Sequence, residues 1–175
     1  MYQVGDLIVY GNSGVCKIVN ITTPEIHDIN KEQLYYVLKP LYQECVIYTP
    51  VNNTKVFMRQ IISAEEAEHL IDMIPTIQAE IYHNKNFTQL SEHYETYIKN
   101  YDCADLIELV MSIYDKRQLM VQQKRKLGQI DERFMKRAEE LLYGELSAAL
   151  NISIDKVPKY IEARVQTVIK KDDKN

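Results

Sequence analysis

The feature that most constrains this chain is a change of hydrophobic period at residue 63. Before it, short runs of β-branched and aromatic residues alternate with turn residues. After it, apolar residues recur at three- and four-residue steps. The first pattern suits strands and the second suits helices. One chain that switches once from one to the other is an α+β protein of two modules.

In the first module, Leu7-Ile8-Val9-Tyr10, Val15-Cys16-Lys17-Ile18-Val19-Asn20-Ile21, Leu34-Tyr35-Tyr36-Val37-Leu38, Val46-Ile47-Tyr48 and Val56-Phe57-Met58 predict four or five short strands. Gly11-Asn12-Ser13-Gly14 is a turn whose glycines are free to take φ > 0. Pro40 and Pro50 end strands. Short strands with turns between them predict a small, strongly curved barrel.

The second module opens on Ser63-Ala64-Glu65-Glu66, a capping box. Its helix should end before Pro75, and Thr76 should cap a short helix through His83. Asn84 to Asn86 reads as a loop. Leu90, Tyr94, Tyr97 and Ile98 share one face of the following helix. Asp102 caps another, with Leu106, Val110, Ile113, Tyr114 and Arg117 in line and Gly128 as the C′ residue. Asp131 caps a helix with Phe134, Ala138, Leu141, Leu142, Leu146 and Ala149 on one side. A last helix starts near Pro158. The expected organisation is 1–62, a helical domain of about five helices at 63–170, and a charged tail at 171–175.

Composition removes several function classes. The formal charge is −4, and no run of 18 apolar residues would span a membrane. The opening residues lack the basic start and apolar core of a signal peptide, so the expected location is cytoplasmic. Cys16, Cys45 and Cys103 form no CxxC, so neither a zinc ribbon nor a disulfide framework is expected. His27, His69, His83 and His93 contain no pair four residues apart, which a helical metal site would need. No phosphate-cradling glycine loop, GxSxG or HExxH is present. The expectation is a non-enzymatic protein without cofactor, metal or small-molecule ligand. Cys16 reads as a small core residue rather than a nucleophile.

Charge is unevenly spread. Residues 64–112 hold 10 acidic side chains against Lys85 and Lys99. Residues 113–140 hold 8 basic against 5 acidic. The basic residues there are Lys116, Arg117, Lys124, Arg125, Lys126, Arg133, Lys136 and Arg137. They could lie along phosphates. A solvated face that balances the acidic helices is the simpler reading of the residues alone. The 13 tyrosines read mostly as core or boundary residues, with some on a protein-binding surface.

Several motifs then fall into one order. Val4-Gly5-Asp6-Leu7-Ile8-Val9-Tyr10-Gly11-Asn12-Ser13-Gly14-Val15 resembles the "VGD-x-VVYP-x-HGV" opening of the CarD/CdnL family of bacterial transcription regulators. Glu32-Gln33-Leu34-Tyr35-Tyr36-Val37-Leu38 resembles its "E-x-x-YY-x-L" strand. Thr49-Pro50-Val51 resembles its "VP" strand end, and Met58-Arg59-Gln60-Ile61-Ile62-Ser63 its junction. Arg137-Ala138-Glu139-Glu140-Leu141-Leu142-Tyr143-Gly144-Glu145-Leu146-Ser147 resembles its last helix segment. The sequence departs where Gly11 and Ser13 replace the usual proline and histidine. It departs again where Leu90, followed by Glu92, His93 and Glu95, falls at a tryptophan and its basic neighbours.

The resemblance implies a Tudor-like module, shared with transcription-repair coupling factor, that binds the β subunit of bacterial RNA polymerase. It implies a helical module at promoter DNA, at the upstream edge of the transcription bubble. On that reading Tyr35, Tyr36, Val46, Ile47 and Tyr48 carry the polymerase contact. Leu90 is the wedge into DNA, and the eight basic residues from Lys116 to Arg137 meet phosphate. The alternative is an adaptor that binds polymerase and uses an acidic helical module to bind protein. The field around Leu90 discriminates: basic for the regulator, acidic for the adaptor.

Overall fold

The computed structural model describes residues 1–23 and 33–172. His27, Glu32 and the tail residues 173–175 lie outside the described residues. The chain divides into two compact units, Met1–Ile62 and Ser63–Asn175.

Among the described residues the first unit is a five-stranded antiparallel sheet in the order β4-β3-β2-β1-β5. Its strands are β1 (Leu7–Tyr10), β2 (Val15–Thr22), β3 (Tyr35–Pro40), β4 (Ile47–Pro50) and β5 (Met58–Gln60). β2 runs long enough to pair β1 through Ile8↔Cys16 and β3 through Ile18↔Leu38. The register shifts between Ile18 and Asn20, a bulge that bends the strand and raises its twist. Alternation puts Ile8, Cys16, Ile18, Tyr36 and Leu38 on one face, where they form the core. The turn before β2 needs its glycines: Gly11 and Gly14 have φ of 43° and 69°. Burial pushes the Cys16 thiol up to about 12, with Cys45 adding to it, which keeps it protonated and inert. The last strand lies two residues later than Val56-Phe57-Met58, because Asn53 organises 53–56 as a side-chain-bonded turn. Its carboxamide accepts from Lys55 N and Val56 N and donates to Val56 O.

Among its described residues the second unit holds five α-helices: α1 (Ala64–Met73), α2 (Phe87–Lys99), α3 (Cys103–Gln122), α4 (Gln129–Leu150) and α5 (Val157–Asp172). The Ser63 capping box is complete: its Oγ accepts from Glu66 N and Glu66 Oε2 accepts from Ser63 N. Such a cap contributes about 1 kcal/mol. Asn86 caps α2 and Asp102 caps α3, each through its side-chain oxygen.

Three expected elements differ. No helix runs from Thr76 to His83. Thr76 Oγ1 donates back to Met73 O, ending the Ile74–Thr76 turn, and 77–84 is irregular. Gly128 is not the C′ residue of α3. Lys124, at φ 56°, takes that place, with Lys124 N bonding Val121 O and Arg125 N bonding Met120 O. This is a Schellman cap built on a lysine rather than a glycine. Asp131 is not the cap of α4 either. Gly128 stands there, and Asp131 lies buried in the first turn.

Candidate nucleic-acid and polymerase interfaces

Each unit carries a separate candidate surface. Among the described residues of the sheet unit, β4 is an outer strand with β3 as its neighbour, paired from Tyr35↔Pro50 to Leu38↔Ile47. An outer strand can take an added strand through its main-chain groups. The β3–β4 hairpin also presents Leu41, Tyr42, Val46 and Tyr48, each at least 40% exposed. Apolar side chains gathered on one hairpin mark a contact surface more often than single scattered ones do.

The predicted polymerase-contact residues therefore separate. Val46 and Tyr48 are on the surface, and Ile47 is half-buried. Tyr35 and Tyr36 are not available. Tyr36 is 1% exposed, because strand alternation sends it into the core. There its Oη accepts from Tyr2 N at 3.0 Å, and its ring meets the Tyr2 ring edge-on at 6.0 Å. Tyr35 is 8% exposed on the opposite face of β3. Tyr36 thus anchors the N-terminal backbone from the core, and Tyr35 is buried on the other face of the strand.

The helical unit corrects more of the expected DNA-contact set. Leu90 is 4% exposed, packed inside from α2, so its side chain is not placed as a wedge. Lys116 is equally buried. Its Nζ donates to Asp131 Oδ1 at 2.7 Å, and Tyr94 Oη donates to the same oxygen at 2.7 Å. Lys116 Nζ also lies 3.4 Å from Tyr94 Oη. Burial, then the adjacent carboxylate, pushes the Tyr94 phenol far above its ordinary range. One carboxylate from α4 thus joins α2 and α3.

The remaining cations divide by neighbour. Arg117 faces Glu139, Arg137 pairs with Glu140 at 3.6 Å, and Arg133 lies over the Phe134 ring at 5.1 Å. Lys136 is exposed on α4. Lys124, Arg125 and Lys126 are exposed in the α3–α4 loop, where the Schellman cap sets their direction.

Two of those loop cations, Arg125 and Lys126, border a cleft of about 900 Å³. Leu90, Leu119, Met120 and Ile130 give it apolar walls, while Lys85, Lys116, Arg125 and Lys126 line it with positive charge against Asp131 alone among acids. Phe87 also lines it, and this residue was missed in the sequence. It is 72% exposed at the first turn of α2, next to Lys85. Its sequence signal is small: an aromatic directly after the N-cap Asn86, one step outside the apolar stripe. On its other side a groove of about 550 Å³ is lined by Glu92, Glu95, Lys99 and Arg133. Phe87 therefore stands between a basic and a mixed surface.

Among the described residues no cluster of histidine, cysteine or acidic side chains could hold a metal ion. No described helix is long and apolar enough to cross a membrane.

Comparison with known families gives the sheet unit its place. The CarD-like/TRCF RID domain family matches the chain over residues 2–62. That span covers the five strands and stops where the contacts divide the two units. The sheet unit, residues 2–62, thus matches the CarD-like/TRCF RID domain family, and that match supports an RNA polymerase-interacting protein.

Proposed function

We propose that this chain is a non-enzymatic, cytoplasmic transcription regulator of the CarD/CdnL type. Its sheet unit, a Tudor-like module, docks on the β subunit of bacterial RNA polymerase. The β4 edge, with Val46 and Tyr48 beside it, makes the contact. Its helical unit modulates open-complex stability at the upstream edge of the promoter bubble. There Phe87, not Leu90, is the apolar wedge, and Lys85, Arg125 and Lys126 meet phosphate. The observation that supports the DNA half is an aromatic side chain at 72% exposure with three exposed cations around the adjoining cleft. Phenylalanine is among the side chains that unstack base steps. The cleft that Leu90 lines carries Lys85, Lys116, Arg125 and Lys126 against Asp131, and that excess of cations supports the regulator over the adaptor.

Docking on polymerase raises the effective concentration of the helical unit at DNA, so weak DNA contacts suffice. The test is binding to polymerase and to forked promoter DNA, separately and together, over a salt series. Tightening of the promoter complex that weakens with salt and is lost in Phe87→Ala, with polymerase binding intact, is the expected result. An unchanged promoter complex at every salt concentration leaves the adaptor reading, which Glu92 and Glu95 on the far side of Phe87 favour.

A further inference from the structure

The basic cleft of the helical unit has more than a DNA-facing rim. It is roomy as well as charged. At about 900 Å³ it lies within the range of small-molecule sites, about 300–1,000 Å³. Its floor is apolar, from Leu90, Leu119 and Met120. Its inner wall is the buried Lys116–Asp131 pair, held at 2.7 Å and so fixed in place. Amide side chains of Asn84, Gln123 and Gln129 also line it. Three exposed cations, Lys85, Arg125 and Lys126, stand around the mouth.

We infer that this cleft binds a nucleoside triphosphate. A long aliphatic anion would need one cation and a floor free of polar groups. A flat heterocycle with hydrogen-bonding edges and a chain of phosphates uses what is present. The base lies on Leu119 and Met120 with Phe87 at its edge, and the carboxamides of Gln123 and Gln129 meet its polar rim, since that of Asn84 is bonded to Tyr82, Gln89 and Asn86 N. The phosphates meet Lys85, Arg125 and Lys126, the arginine in bidentate fashion. Lys116 is already committed to Asp131 and Tyr94, so it shapes the wall and adds field without being the main phosphate contact. The consequence for regulation rests on the proposed function: a bound nucleotide occupies the cations that DNA would use, so the two compete.

The test uses the full chain and ATP as the probe, with adenosine and inorganic tripolyphosphate as partial ligands, by isothermal titration. ATP should bind at least ten-fold more tightly than either part. Arg125→Ala/Lys126→Ala should weaken ATP at least ten-fold. Met120→Trp, which fills the floor, should weaken ATP and leave tripolyphosphate unchanged. If Met120→Trp fails to fold, the comparison of ATP with its two parts on the unaltered chain decides. Equal binding of ATP and tripolyphosphate overturns the inference, because the cleft is then a charged surface only. Absence of ATP binding in a chain that still binds forked DNA also overturns it and leaves the DNA reading standing. ATP binding without any DNA binding supports the nucleotide site and removes the DNA reading instead.

Discussion

The two units bury polar chemistry in opposite ways. The sheet core is Ile8, Cys16, Ile18, Tyr36 and Leu38, with one phenol that serves the N-terminal backbone. The helical core contains an ion pair, Lys116–Asp131, with the side chains only 5% exposed, and a phenol bonded to it. A core of the first kind is held by area removed from water. A core of the second kind also depends on each charge having its partner, since a lone buried charge costs far more than a lost contact. The helical unit is therefore the one that single substitutions can damage most.

Lys116→Ala should bring the largest loss of stability, about 3–5 kcal/mol, because Asp131 is left buried without its cation. Lys116→Met combined with Asp131→Leu should recover most of that in denaturant unfolding. A small cost for the single variant would erase the contrast between the units. In the sheet unit the sensitive point is backbone, not charge. Gly5 sits at φ 101° with open space around it, so Gly5→Ala should cost about 1–2 kcal/mol through conformation alone. At the α3 cap the same physics runs in reverse: Lys124→Gly should stabilise by about 1 kcal/mol, by relieving φ 56°.

A smaller effect concerns pH. His93 stacks on Tyr82 at 3.8 Å and lies against Tyr94 and Tyr97, and burial lowers its folded pKa below the ordinary 6.5. The unfolded chain then binds the proton more readily. The contribution is present above pH 6.5 and is lost as pH falls through the folded value. Melting between pH 7 and pH 5 should fall less for His93→Gln than for the unaltered chain. Least of all, Tyr48→Ala should leave stability within about 0.5 kcal/mol while weakening polymerase binding.

The difference between the units also explains what the sequence revealed. Strand alternation and turn glycines in 1–62 are local signals, and they place all five strands to within two residues. Alternation also carried the information that Tyr36 points inward with Leu38, but a tyrosine pair invites a surface reading. In the helices, capping residues such as Ser63 and Asp102 were legible because a cap is a contact with the next turn. Lys116 was not, since hydrophobic periodicity counts apolar residues and its buried partner is 15 positions away. Its position was nonetheless readable: Leu106, Leu109, Ile113 and Lys116 continue one three- and four-residue stripe. Phe87 was hidden for the mirror reason. It is an apolar residue off the stripe, and only the folded helix shows it facing water.

The carboxylate of Asp131 has one more role. The α3–α4 loop leaves α3 after Gln122 and enters α4 at Gln129, and that carboxylate joins the two helices on either side of it. Gly128 sits so close that an added Cβ would come within 3.0 Å of Asp131 Oδ2. Arg125 and Lys126 therefore ride on a bracket clamped at both ends by a bond neither of them makes. The spacing of charges offered to the outside is gauged from the interior, and a mutation that no partner could ever touch can change what the surface recognises.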